Sequence, residues 1–147
     1  MEEDNKYYIP DPSELFIGYI GEVGVAPMYD GDPGGPSMEK ELTASDIVGI
    51  DDGDLYIQTR YLNRQDIESC GWVYKSSCEN LKDNSQIKFF HLNRGTILKD
   101  TQENRWELRV ENSYRIRITQ GYEWMRFLGQ CKSINELRKI MQLIGIK

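Results

Sequence analysis

A chain of 147 residues with 39% hydrophobic and 11% aromatic content fits one globular domain that buries about two thirds of its unfolded surface. It shows no signal peptide, lipidation box or apolar run approaching 18 residues, so nothing directs it to a membrane; three cysteines without regular spacing argue for a reducing, cytoplasmic setting rather than a disulfide framework. The net charge of −6 and the acidic isoelectric point of about 4.9 count against unspecific nucleic-acid binding.

The net charge hides an asymmetry. Up to Asp54 the chain carries 14 acids against Lys6 and Lys40, a balance of −12, and from Leu55 onward 10 acids against 16 bases, a balance of +6. Three outcomes fit such blocks: mutual neutralisation within the fold, an acidic arm reaching another chain, or a basic face kept for a polyanion.

Residues 1–12 read as a flexible arm, and 13–147 as a single α+β domain. Ser13 to Val25 contains Leu15-Phe16-Ile17-Gly18-Tyr19-Ile20, then Val23 and Val25, the pattern of a strand or a bent pair of strands. Gly18, Gly21 and Gly24 recur every third residue, but no helical pattern follows before Pro27, so bulges or close packing under an aromatic explain them better than a phosphate loop. A mobile Pro/Gly-rich loop is expected at about 26–41. Counted from Asp30 it has Asp at the first and third positions, Gly at the sixth and Glu41 at the twelfth, like a calcium loop, yet Gly34 and Pro36 occupy two ligand positions and neither flank reads as a helix.

Asp46 to Ile50 is a strand candidate, turning at Asp51-Asp52-Gly53-Asp54 into a second strand from Leu55 to Leu62. A short helix is expected near 63–70, capped by Asn63-Arg64-Gln65-Asp66 and ended by Gly71. A strand starting at Trp72 should pair with Gln86 to Leu92 across a polar loop at 76–85, and a further strand should run near Thr96 to Lys99.

The last third is the most regular. Trp106, Leu108 and Val110 alternate with Arg105, Glu107, Arg109 and Glu111, and Tyr114, Ile116 and Ile118 alternate with Arg115, Arg117 and Thr119, which makes two strands each with one buried face. For both apolar sets to share a face the connection must have an odd number of residues. We expect three, at about Glu111 to Ser113, with Asn112 or Ser113 left-handed. That register sets Arg109 opposite Arg115 and Glu107 opposite Arg117, whereas a one-step shift sets Arg109 opposite Arg117. In both, two arginines sit side by side. A third strand, roughly Tyr122 to Gly129, changes apolar phase between Trp124 and Met125, which calls for a bulge or two covered faces. Ser133 and Glu136 then form a capping box for a helix that lines up Leu137, Ile140, Met141 and Ile144 and stops at Gly145. The architecture is a bent antiparallel sheet of about five to seven strands, covered by this C-terminal helix.

Nothing points to an enzyme. The lone His91 lies in an apolar strand, no Ser or Cys sits in a nucleophile elbow, and Cys70, Cys78, His91 and Cys131 have zinc chemistry without a compact ligand pair. No cofactor or metal is expected. The outward arginines Arg105, Arg109, Arg115 and Arg117, with Arg126 and Lys132, suggest instead a surface for a protein partner or a second copy, or for a small anion such as a nucleotide or signalling nucleotide. A solvated charged face, with Glu107 pairing one arginine, is the plain alternative.

The runs Tyr61-Leu62-Asn63-Arg64-Gln65-Asp66-Ile67-Glu68-Ser69-Cys70-Gly71-Trp72 and Phe127-Leu128-Gly129-Gln130-Cys131-Lys132-Ser133-Ile134-Asn135-Glu136-Leu137, together with Tyr7-Tyr8-Ile9-Pro10 and Glu14-Leu15-Phe16-Ile17-Gly18, resemble the short proteins of gut Bacteroidales and their phages. A frequent form there is similar to Asp-Ile-Glu-Ser-Leu-Gly-Phe and to Phe-x-Gly-x-Cys/Ile-Lys-x-x-Asn-Glu-Leu. The resemblance implies a phage or mobile-element origin and transfers no activity and no catalytic residue; the interaction reading would make the protein a host-factor inhibitor or a virion component, in the host cytoplasm or associated with the virion. Cys70 stands where the pattern has Leu and Trp72 where it has Phe, so both read as core positions.

Overall fold

The computed structural model describes residues 7–32, 34–82, 85–93, 105–121 and 124–146. The expected strand at Thr96 to Lys99 lies outside them, as do residues 1–6 of the expected flexible N-terminal arm. The fold is α+β with antiparallel sheets and a C-terminal helix, but the strands form two sheets, of four and five, instead of one. The chain divides into two compact units, Met1–Tyr61 and Leu62–Lys147, each with its own sheet and core, where the sequence suggested a single domain over 13–147.

The first unit contains β1 (Tyr7–Tyr8), β2 (Ile20–Val25), β3 (Met38–Glu41), α1 (Ala44–Asp51) and β4 (Leu55–Arg60), with sheet order β1-β4-β2-β3. Tyr7 and Tyr8 pair with Arg60 and Thr59, and Asp11 caps a 3-10 turn at Pro12–Glu14, so the end of the expected arm is structured. Tyr19, Val23, Leu42 and Ile57 are buried together, with the Tyr19 hydroxyl 2.7 Å from Thr59 Oγ1. Gly24 lies under the Tyr56 ring, where an added Cβ would come within 2.5 Å of it. The described part of the Pro/Gly-rich loop is tied by the Asp32 carboxylate, which accepts from the backbone N–H of Met28 and of Gly34.

The strand expected at Asp46 to Ile50 is a helix, α1. Thr43 and Asp46 form a reciprocal capping box, and Ile47 and Ile50, one turn apart, pack against the core. Gly49 lets the helix approach Leu55, whose Cδ1 would be 2.8 Å from a Cβ there. The strand at 55–60 therefore pairs with β2 and β1 instead of forming a hairpin with 46–50.

The second unit begins at Leu62, whose N–H donates to the Lys132 carbonyl at 2.7 Å. It contains α2 (Arg64–Ser69), β5 (Val73–Glu79), β6 (Gln86–Asn93), β7 (Arg105–Val110), β8 (Arg115–Gln120), β9 (Trp124–Gln130) and α3 (Ile134–Leu143); the sheet is a meander in chain order. α2 falls where a short helix was expected, with Asn63 as its N-cap. β5 continues to Glu79, further than expected, because Ser77, Cys78 and Glu79 find ladder partners in Lys88, Ile87 and Gln86. β9 bulges at Arg126, since Ile118 pairs with Phe127 and Thr119 with Met125, which resolves the phase change in its apolar pattern.

The β7–β8 connection has three residues, Asn112–Tyr114, one step later than expected, with Ser113 and Tyr114 both left-handed at φ 59°. Glu111 N–H donates to Arg115 O at 2.7 Å and closes the turn. Tyr114 thus leaves the strand, Leu108 pairs with Ile118, Val110 pairs with Ile116, and the one-step-shifted register is the one adopted.

Phe90, Leu92, Trp106, Leu108, Ile116 and Ile118 share a buried cluster with Trp72 and with Leu137, Ile140 and Met141 of α3. Cys70 packs against it, so both positions that depart from the resembled pattern do serve the core. Ser133 caps α3, accepting from Glu136 N–H, while the Glu136 carboxylate accepts from Lys132 N–H and not from the cap's own; Gly145, at φ +90°, follows the helix end.

Two consequences are measurable. Leu137 is fully buried against the sheet, and Leu137→Ala is expected to destabilise the second unit by about 2–5 kcal/mol. Urea unfolding followed by tryptophan fluorescence reads this directly, because Trp72, Trp106 and Trp124 all lie in that unit. In the first unit, Thr43 N–H and then Lys40 hold the Asp46 carboxyl down at about 2, below its ordinary 3.8. A carboxylate depressed in the folded state adds stability above its unfolded pKa and loses it as pH falls through the folded one. The stability difference between wild type and Asp46→Asn should therefore shrink between pH 4 and pH 2, as followed by thermal unfolding at several pH values.

Candidate binding face

Burial of Phe90, Leu92, Trp106, Leu108, Ile116 and Ile118 on one side of the five-stranded sheet sends the alternate residues of β6, β7 and β8 to the other. The registers give two rows across that outer face. One runs Ser76, Phe89, Arg109, Arg117, Leu128, and the next Val73, His91, Glu107, Thr119, Met125. Arg109 and Arg117 are direct cross-strand partners. The Arg109 guanidinium lies 5.2 Å from the Phe89 ring centroid, within cation–π range.

Among the described residues the pair has no ionic partner: no carboxylate forms an ion pair with Arg109 or Arg117, and the Nε atom of each is buried without a hydrogen-bond partner. Glu107, expected opposite Arg117, faces Thr119 and lies 3.4 Å from His91 Nε2. Directly opposed like charges are unfavourable by up to about 1 kcal/mol, and a buried donor left unmade costs about 1–3 kcal/mol. The neutralising contact of the plain alternative is therefore not made within the sheet.

Around the pair the face is partly apolar, with Val73, Met125 and Leu128 exposed and Phe89 half-buried. At its turn end a shallow cavity of about 420 Å³ is lined by Asn80, Glu111, Asn112, Ser113, Arg115 and Gln130. One oxygen of Glu111, Oε2, is buried there with no partner. These apolar residues and the cavity were missed at sequence level: Phe89 and Phe90 are adjacent and equally apolar, and the lining of the cavity comes from the loop whose position was off by one residue.

The six predicted residues separate. Arg109 and Arg117 sit at the centre of the face, Arg115 is exposed at its turn end beside the cavity, and Arg105 continues the same alternation at the other end of β7. Arg126 does not join them. It occupies the bulge, donates from Nε to Gln120 Oε1 at 3.0 Å and lies 5.8 Å from the Trp124 ring, and Gln120 belongs to the alternation of Ile116 and Ile118. Lys132 lies between β9 and α3, off the sheet.

Other chemistry weighed from the sequence is placed elsewhere. Cys78 is exposed on β5, while burial pushes the Cys70 thiol up and the Cys131 thiol far above the usual range, which holds both in the neutral form. Among the described residues no three metal-binding side chains converge. In the first unit Glu22 is the counter-example to the arginines: the Ser37 hydroxyl, Tyr7 and Gln58 all donate to its carboxylate and hold its pKa below the usual range. The hydrogen bond to Glu22 in turn pushes the Tyr7 phenol up.

No family model, curated protein or solved structure matches the chain.

If the arginine pair is an unrelieved repulsion, Arg117→Glu should stabilise the second unit by about 0.5–1 kcal/mol at low salt, by turning it into a cross-strand ion pair. The gain should diminish as salt is raised, read as the melting temperature by circular dichroism. A loss of stability at low salt would show that the two guanidiniums are already neutralised.

Proposed function

We propose that this protein is a non-enzymatic interaction module of a phage or mobile element, working in the host cytoplasm or within the virion, and that it contacts its partner through the outer face of the five-stranded sheet. The observation that carries this reading is the Arg109–Arg117 pair, with both Nε donors buried and unpartnered, with Phe89 and Leu128 as its ladder neighbours and with Met125 and Val73 exposed in the adjoining row. Arginine and methionine beside aromatic and aliphatic surface are what interface centres are enriched in. A guanidinium keeps its proton at any physiological pH, so a site built on two of them binds an anion and does not exchange protons with it. The phage or mobile-element assignment rests on the resemblance of the Tyr61–Trp72 and Phe127–Leu137 runs.

A second reading draws on the same buried donors: the pair holds a small anionic ligand, such as a nucleotide or signalling nucleotide, as a bidentate clamp. The two are separable. Under the module reading, light scattering in low salt, alone and with host extract, gives wild type a mass above that of the 17.1 kDa monomer, and the double variant Arg109→Glu, Arg117→Glu returns to it. Under the ligand reading, one nucleotide of a panel raises the melting temperature of wild type and leaves the double variant unmoved, while the mass stays monomeric. A wild-type protein that is monomeric in extract and insensitive to the panel would eliminate both.

A further inference from the structure

We infer that the partner of the arginine face is a second copy of this chain, which presents the acidic corner at Asp51, Asp52 and Asp54 in a head-to-tail contact. The inference rests on the reading of the face given above and adds the identity of its occupant. Its first support is charge. The unit Met1–Tyr61 carries a net −11 and the unit Leu62–Lys147 a net +5, so the two surfaces that would meet have opposite sign.

The second support is that each surface is electrostatically unfavourable where it stands. Asp51 ends α1 and Asp52 is its C-cap, at the negative end of the helix dipole, with no basic residue in the last turn. With Asp54 just beyond Gly53, which turns the chain at φ +82°, all three are exposed, and none forms an ion pair among the described residues. On the other surface Arg109 and Arg117 oppose one another with their Nε donors unmade, and Arg115 is exposed next to them. A contact that brings the corner to the face sets carboxylates against the opposed guanidiniums and relieves the like-charge repulsion on both surfaces.

The third support is apolar. The acidic corner is bordered by Val48, one turn back in α1, whose carbonyl accepts from Asp52 N–H, and by Val25, the partner of Leu55 in β2 and β4; both are exposed. On the arginine face the exposed Leu128 is the ladder partner of Arg117, and Met125 and Val73 are exposed in the adjoining row. Exposed ion pairs contribute little by themselves, so this apolar surface is what makes the contact worth forming, and the charges select its register. Because the two patches differ, the contact is heterologous, and copies add in chains or close into rings.

The test is sedimentation equilibrium of the full chain at 50 and 500 mM salt. Wild type should show a mass that rises with concentration to at least twice the monomer in low salt and falls back in high salt. Asp51→Lys, Asp52→Lys, Asp54→Lys in one protein and Arg109→Glu, Arg117→Glu in another should each stay monomeric. Their equimolar mixture should associate again in low salt, because the intact corner of one meets the intact face of the other and their two reversed surfaces are also opposite in charge. Circular dichroism checks that both variants fold, and the single replacements Asp52→Lys and Arg117→Glu, each weakening association several-fold, stand in for a combination that does not. A wild type that stays monomeric in low salt at the highest soluble concentration, or a mixture that stays monomeric, overturns the inference. If monomeric wild type still binds a partner from host extract through Arg109 and Arg117, the face survives as an interaction surface and only its occupant is wrong.

Discussion

Packing of α3 onto one side of the five-stranded sheet is the constraint from which the arrangement of the second unit follows. With Leu137, Ile140 and Met141 clustered on Trp106, Leu108, Ile116 and Ile118, the strands have no freedom of parity, because a one-residue slip would turn every apolar side chain to water. Each outward position is then forced outward. The arginines reach the surface as the complement of a buried set, and only their identity, not their direction, was open to choice. That any side chain at 109 and 117 must share the open face makes the presence of two like charges there informative.

The β7–β8 turn converts this parity into a specific pair. Two loop placements keep the apolar sets on one face, and they differ in whether Arg109 meets Arg115 or Arg117. The turn adopted at Asn112–Tyr114 places two consecutive non-glycine residues in the left-handed region, each unfavourable by about 1–2 kcal/mol, so local backbone preference did not select it. The gain lies in the core. Ile116 and Ile118 are both fully buried in this register, and Tyr114, released from the strand, offers its carbonyl to Cys131 N–H at 2.8 Å, which ties the turn to the segment leading into α3. Core packing thus sets the turn, and the turn sets the charge pair.

Where side-chain alternation or capping chemistry was unopposed, the fold could be read from the residues alone. The β7 and β8 alternation, α2 behind Asn63, the bulge in β9 and the cap and stripe of α3 are all local signals that tertiary structure reinforces. The failures share a different cause. Val48-Gly49-Ile50 is short and apolar, a pattern that a strand and a buried helix segment share, and only the Thr43–Asp46 capping box, together with the close approach of Gly49 to Leu55, decides for the helix. Similarly, nothing local announces that the strands of the first unit close on Tyr19, Val23, Leu42 and Ile57 as a separate core. Of the candidate site, the parity of Arg105, Arg109, Arg115 and Arg117 was legible. The exclusion of Arg126 was not, since it depends on a bulge whose exact residue is fixed by the pairing of Ile118 with Phe127 and of Thr119 with Met125.

The fold treats Glu22 and the arginine pair differently. Glu22 also faces a like charge, since its ladder partner on β3 is Glu39. There the fold supplies answers: Ser37, Tyr7 and Gln58 donate to Glu22, and Arg60 reaches Glu39 at 2.7 Å. Among the described residues nothing comparable surrounds Arg109 and Arg117, although Glu107 and Glu111 flank Arg109 two residues to either side. Glu107 is engaged with His91, and Glu111 leaves one carboxylate oxygen unpartnered instead of reaching the neighbouring guanidinium. One like-charge pair is met by four polar side chains, and the other, among the described residues, by none.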